Sequence, residues 1–296
     1  MKLTINKLSK TYGNNLKALE DIDLEIGQGM FGFLGPNGAG KSTLMRIIAT
    51  VQLPDTGRIL FNKIDALKDP VSLRKVLGYL PQDFGIYPGV NAEDLLNYFA
   101  VLKGISSSKE RKKVTEKALE LTNLNEFRKM NVSNFSGGMK QRFGIAQILL
   151  NDPKLIIVDE PTTGLDPAER KRFLNLLREM ASSNIIIFST HIVDDINDFC
   201  KSMAIINRGK ILKTGSPSDS VRELKNKIWK KRINPYELSE MEKIYKVIST
   251  EYNEDNSINI RAYSEIKPSP EFAAAEPCLE DLYFTTLDDS SHSVRI

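Results

Sequence analysis

Cysteine is scarce in this 296-residue chain, which holds only Cys200 and Cys278, far apart and without C-x-x-C spacing. Neither a disulfide framework nor a thiolate metal site follows, and a reducing compartment is the default. Histidine is equally rare: His191 and His292 are the only two. Long apolar runs are missing as well. Stretches such as LIIV at 155–158 and IIIF at 185–188 fall far short of the roughly 18–20 residues needed to cross a bilayer. The opening MKLTINKLSKTYG alternates Leu3 and Ile5 with polar neighbours, the pattern of a strand rather than a signal peptide. Charge of one sign is also lacking: 41 Lys+Arg against 38 Asp+Glu leave a formal +3. That balance is too mild to imply a nucleic-acid partner. What remains is an ordinary globular composition, 41% hydrophobic and 27% charged, in a chain long enough for one large or two modest domains.

Alternating segments at 3–5, 22–26 and 58–61 predict antiparallel strands with one partly exposed face. MFGFLG at 30–35 is apolar and runs into a glycine loop, after which KSTLMRIIATV at 41–51 reads as a helix. A polar helix is expected over 108–127, with Val114, Ala118, Leu119 and Leu121 on its buried face. LIIV and IIIF, separated by a helix over 167–181, form the strand–crossover–strand unit of a parallel sheet. A hairpin over 203–215 closes the block. Beyond it, SPSDS at 216–220 reads as a loop, the basic RELKNKIWKKR at 222–232 as a solvated helix face with a lipid contact as the alternative, and 236–249 as a helix. SINIRAY is a strand candidate, 267–270 a Pro-rich loop, and LEDLYFTTL at 279–287 the last apolar-periodic piece. The expected division is therefore 1–215 and 216–296.

GPNGAGKST at 35–43 meets G-x-x-x-x-G-K-[ST] through Gly35, Gly40, Lys41 and Ser42, between an apolar strand and a helix. Glycines let backbone N–H groups surround phosphate oxygens, and the helix adds its positive dipole end. In this pattern Lys41 reaches the β/γ-phosphates and the Ser42 hydroxyl holds Mg²⁺. A magnesium nucleotide also needs a carboxylate at a neighbouring strand end, and LIIVDEP offers Asp159 for the metal and Glu160 as general base for water. His191 ends IIIFSTH, where it could bond the γ-phosphate or serve as a structural histidine. Asp166, with Pro167 and Glu169, fits a capping arrangement for the next helix, and its second oxygen could do more. Ser136-Gly137-Gly138 precedes another helix. It is either an ordinary turn or a second anion site, used in trans on a partner's nucleotide across a two-fold pair.

Taken together these motifs resemble, in order, those of the ATP-binding subunit of an ATP-binding cassette (ABC) transporter, over about residues 1–215. GPNGAGKST is similar to the Walker A motif, whose residues Gly35, Pro36, Asn37, Gly38, Ala39, Gly40, Lys41, Ser42 and Thr43 would cradle ATP. The resemblance places Tyr12 against the adenine and Gln82 in the Q-loop, touching Mg²⁺ and relaying state to the membrane subunit. FSGGM matches the signature, usually LSGGQ, and departs from it at Phe135 and Met139 while keeping Ser136, Gly137 and Gly138. LIIVDE is Walker B, GLD the D-loop with Asp166, and STH the switch with His191.

The fold so implied is α/β: a P-loop NTPase core, an antiparallel β subdomain and a helical signature subdomain, plus a small C-terminal α+β accessory domain. The implied function is an ATPase that dimerises around two Mg-ATP and drives separate permease subunits. It would sit in the cytoplasm on the inner face of the cell membrane, with no nucleic-acid partner. The tail, with PCLEDLYF at 277–284, resembles the accessory domain of the drug, antibiotic and polysaccharide efflux branch. The alternative is a soluble cassette ATPase acting on a non-membrane partner.

Overall fold

The computed structural model describes residues 1–13, 15–82, 84–85 and 88–292. The chain opens with β1 (Lys2–Thr11), β2 (Lys17–Gly27) and β3 (Gly29–Leu34). Helix α1 (Lys41–Ile48) follows, then β4 (Thr56–Phe61), β5 (Ile64–Asp65), α2 (Pro70–Val76) and β6 (Leu77–Leu80). Helices α3 (Ala92–Leu102), α4 (Ser108–Leu121) and α5 (Gly137–Leu149) come next. The chain then alternates β7 (Leu155–Val158), α6 (Pro167–Met180), β8 (Ile185–Thr190), α7 (Val193–Phe199) and β9 (Ser202–Asn207), and turns back as β10 (Lys210–Gly215). Beyond lie α8 (Pro217–Arg222), β11 (Ile228–Ile233), α9 (Leu238–Ile244), β12 (Lys246–Tyr252), β13 (Ile258–Tyr263), β14 (Ala273–Ala274) and α10 (Leu279–His292).

The central sheet has the order β10-β9-β3-β8-β7-β6, parallel from β9 through β6 with β10 antiparallel at its edge. Both faces of β7 and β8 are covered, so every residue of LIIV and IIIFST is buried and the sequence shows continuous apolar runs. Strands β2, β1, β4 and β5 form an antiparallel sheet, in which β2 buries Leu19, Ile22, Leu24 and Ile26 and exposes residues between them. Because β3, β7 and β8 are parallel neighbours, the loops after them emerge at one edge of the sheet, where doubly wound folds place ligands.

Helices α3, α4 and α5 enclose a separate core that includes Leu95, Leu96, Ala118, Leu119 and Phe143. Two expectations for α4 change. The α-helix stops at Leu121, with a 3₁₀ turn only at Asn125–Phe127. Leu121 is 47% exposed, and Thr115 is buried beside Ala118 and Leu119 instead. The buried face thus runs 115, 118, 119, 122, and Leu121 projects to one side of it. Thr122 tolerates burial because its hydroxyl donates to the Ala118 carbonyl (2.8 Å).

The region after Gly215 departs most from the sequence reading. SPSDS is not a loop: Ser216 caps α8 by accepting from the Asp219 N–H (3.1 Å), and Pro217 takes the first helical position. The basic stretch is not a solvated helix face. Its end is β11, where Lys231 pairs with Glu271 and Arg232 with Asp255. The helix expected over 236–249 ends at Ile244, and β12 takes over from Lys246. Strands β12, β13, β11 and β14 form a third sheet over Ile233, Ile258, Ile260 and Phe272. Helix α10 folds back on the main body, where Leu279, Leu282 and Tyr283 share a core with Ile196 and Met203. Arg261 on β13 holds Asp281 of α10 through paired bonds of 2.8 and 2.6 Å, with Asp281 buried.

Candidate active site

The loop after β3 turns tightly because its glycines permit it. A Cβ on Gly35 would lie 2.2 Å from the Ile206 carbonyl oxygen, and one on Gly40 (φ 107°) 2.6 Å from that of Ala18. Gly38 (φ 80°) has nothing described within 4 Å of such a Cβ, so the loop is open on that side. No side chain among the described residues caps α1, whose N-cap is Gly40 itself. Lys41 lies under the loop, 3% exposed, donating to the carbonyls of Gly35 (2.7 Å) and Pro36 (3.1 Å). Its Nζ is 3.2 Å from Glu160 Oε1.

Glu160 follows β7 in a left-handed conformation (φ 44°), which costs an L-residue about 1–2 kcal/mol. The conformation is held from below: its N–H donates to Ser189 Oγ (2.8 Å), and that hydroxyl donates to Asp159 Oδ1 (2.7 Å). The Glu160 carboxylate is thereby placed between Lys41 and His191, whose Nδ1 is 3.7 Å from Glu160 Oε2. His191 is half-exposed at the end of β8.

A cavity of about 850 Å³ opens against Lys41 and Glu160, large enough for a nucleotide, and His191 is not among the residues lining it. Its walls include Tyr12, the loop from Asn37 to Thr43, Gln82 and Glu160. The Tyr12 hydroxyl is 3.2 Å from Thr43 Oγ1, and its partner Gln52 donates to it at 3.1 Å. Burial works to raise this phenol, but the Thr43 and Gln52 hydrogen bonds, together with the charges of Arg46 and Lys10, outweigh it and leave its pKa below the ordinary value. Lys17 and Arg208 also line the cavity. Sequence reasoning missed both, since neither belongs to a motif; Arg208 arrives from the β9–β10 turn. Asp159 is 1% exposed and lies beneath the cavity wall, not on it. Among the described residues no group of three His, Cys, Asp or Glu is set to hold a metal. Mg²⁺ that keeps its waters and substrate phosphates needs only one or two protein carboxylates; of the three expected ligands, Ser42 and Gln82 line the cavity and Asp159 does not.

Ser136, Gly137, Gly138 and Asp166 are not brought to this cavity. Ser136 caps α5 by accepting from the Met139 N–H (3.3 Å). Phe135 is buried, edge-on to Phe143 with centroids 6.0 Å apart, so this departure from the signature is absorbed by the core. A Cβ on Gly138 would lie 2.3 Å from Glu169 Oε2, which Arg142 holds at 2.6 Å. Among the described residues, a Cβ on Gly137 would meet only Leu165 Cδ2, at 3.7 Å. Asp166 caps α6, accepting from the N–H groups of Ala168 (3.0 Å) and Glu169 (2.9 Å). Glu169 does not complete the box; its carboxylate goes to Arg142 and Arg172.

A family model described as "ABC transporter" matches residues 19–163, a span that includes the glycine loop, Gln82, SGG and Glu160. The "Probable multidrug ABC transporter ATP-binding protein YbhF" of Escherichia coli (strain K12) is 35% identical over 218 residues. That match covers 73% of this chain but only 37% of YbhF. The "Uncharacterized ABC transporter ATP-binding protein YxlF" of Bacillus subtilis (strain 168) is 34% identical over 246 residues, 82% of this chain and 78% of that one. Among solved structures, the dimeric ATP-binding cassette MJ0796, in a post-hydrolysis state with ADP and Pi, superposes with a TM-score of 0.65 at 25% identity. It matches 72% of this chain and 98% of that one. Family match, relatives and cassette structure agree with the motifs around the cavity, and the chain belongs to the ABC transporter family as an ATP-binding cassette ATPase.

Proposed function

We propose that this chain is the motor of a membrane exporter: it dimerises around two Mg-ATP and drives separate permease subunits. The observation that carries the hydrolytic part is the Glu160 carboxylate, fixed by a left-handed backbone between Lys41 and His191 at the cavity wall. Glu160 takes the proton of the attacking water. Lys41 leaves its loop carbonyls for the β/γ-phosphates, and Gly35 through Thr43 supply backbone and hydroxyl donors. His191 orients the γ-phosphate, and Tyr12 stacks on the base. Ser42, Gln82 and Asp159 would hold Mg²⁺, which supplies neutralisation of the charge developing on the phosphates.

Ser136, Gly137 and Gly138 stand outside the cavity, with Gly137 exposed, and this supports their use on the nucleotide of a second subunit. Asp166 meets the partner beside them. The dimeric state of MJ0796 supports the same arrangement, and the word "multidrug" in the name of YbhF supports drug-like small molecules as the cargo. Among the described residues no helix is long and apolar enough to cross a membrane, so we assign the crossing to permease partners. The division at 215/216 is proposed from the change to a separate sheet beyond β10.

The test is light scattering of Glu160→Gln with and without Mg-ATP, alongside its phosphate release. A shift from monomer to dimer with turnover nearly abolished is the expected result. Turnover near wild type would remove Glu160 as the base, and no shift would remove the trans role of SGG in the isolated chain.

A further inference from the structure

Ser189 and Thr190 are consecutive at the end of β8 and so face opposite sides of the sheet. Ser189 serves Asp159 and Glu160. Thr190 serves a residue with no role so far: its hydroxyl donates to Asp195 Oδ2 (3.3 Å), on α7, and accepts from the Ile192 N–H (3.0 Å). The same Oδ2 accepts from Thr162 Oγ1 (3.3 Å). The other oxygen, Oδ1, accepts from Arg170 Nε (2.7 Å) and faces its terminal nitrogen at 2.5 Å. Asp195 is 2% exposed, and it does not line the nucleotide cavity.

The three partners belong to the three segments that carry the site. Thr162 lies two residues past Glu160. Thr190 immediately precedes His191. Arg170 is on α6, whose first turn Asp166 caps. Burying a carboxylate is costly unless its oxygens are filled, and here both are. A carboxylate suits the position because both its oxygens accept; an amide would turn an NH₂ toward one of the donors.

We propose that Asp195 is a positioning residue for ATP hydrolysis, one carboxylate that keeps the segments bearing Glu160, His191 and Asp166 in register. It acts through Thr162, Thr190 and Arg170 and touches no reacting atom. The proposal rests on the hydrolytic reading above. Misplacement of a catalytic group by about 1 Å can cost about 100-fold in rate, so loosening this joint is expected to act on turnover rather than binding.

The test compares the full chain with Asp195→Asn, Arg170→Gln and the double variant. Four quantities are read: steady-state Mg-ATPase, equilibrium binding of a fluorescent ATP analogue, the thermal midpoint, and hydrogen exchange of peptides over 159–166 and 189–193. Each single variant should lower kcat about tenfold or more with nucleotide affinity within about twofold, and the double should be no worse than the worse single, because the residues act as a unit. Exchange should rise in both peptides together. A lowered thermal midpoint with kcat per folded molecule retained would overturn the proposal, as would additive losses or faster exchange in one peptide only. Exchange needs no turnover, so a wild-type chain that hydrolyses no ATP would sink the hydrolytic reading while the paired exchange still decides the role of Asp195. Should Asp195→Asn not fold, Arg170→Gln, with its partly exposed guanidinium, carries the same comparison.

Discussion

Two helices in this chain have glycines at or just before their first turn, and they start differently. At α1 the glycine loop is closed from beneath by its own lysine, backed by the buried Glu160, and left uncapped by any described side chain. At α5 a serine caps the helix, one glycine is packed against Glu169, and the other faces outward. The first start has its complement of charges within the chain. The second has only what its own helix needs, and its exposed glycine has no packing reason to be glycine. The first start is therefore complete as a ligand site within one chain, whereas the exposed Gly137 of the second is left unexplained by its own chain.

That contrast can be broken experimentally. Glu160→Gln should have the largest effect, lowering kcat by about 10²–10⁴-fold while leaving ATP binding intact, measured as phosphate release against equilibrium binding. Lys41→Ala should weaken nucleotide affinity by about tenfold or more, since a charge-assisted contact is lost and Glu160 is left buried without its cation. Calorimetry showing unchanged affinity would remove the phosphate role of the loop.

The glycine pair of α5 offers the sharper comparison. Gly138→Ala should destabilise the fold by about 1 kcal/mol in a denaturant titration, because its Cβ must push the Glu169 carboxylate off Arg142, a loss that the better helix propensity of alanine partly offsets. Gly137→Ala should leave stability within about 0.5 kcal/mol yet reduce ATP-driven dimerisation. Equal stability losses would erase the distinction drawn here.

The smallest effect concerns acid. Arg128 and then Lys129 hold Glu93, at the start of α3, down to a pKa of about 2. Its stabilisation is therefore full above its unfolded value of about 4.3 and is lost as pH falls toward about 2. Glu93→Gln should flatten that part of the acid-unfolding curve, followed by circular dichroism, and leave the curve above pH 5 with little slope change.

Much of this was legible before folding, for a physical reason. β7 and β8 are buried on both faces, so their sequences are unbroken apolar runs, and the residues of the site sit directly at their ends. Where a segment is half-exposed the signal weakens. Ser216 and Pro217 read as a turn because the residues that start a short helix are also turn residues. Lys231 and Arg232 read as a helix face because paired strand charges look the same in one dimension. Asp195 was invisible for another reason: Thr162, Arg170 and Thr190 meet it only in three dimensions, and no spacing announces them. Lys17 and Arg208 were missed in the same way.

The central sheet's order has one more consequence, in the time domain of synthesis. β3 ends at Leu34, but its neighbour β8 begins only at Ile185 and β7 at Leu155, after the helices of the α3–α5 core. A ribosome adding about 5–20 residues per second would need roughly 6–24 s between the glycine loop and the strand that delivers Glu160. Until then the loop has no carboxylate behind its lysine, and β3 waits longer still for a parallel partner, since β8 starts at Ile185 and β9 at Ser202. The nascent chain therefore carries an apolar strand without its sheet for about half of its synthesis, and nucleotide can favour the folded state only after β8 has followed.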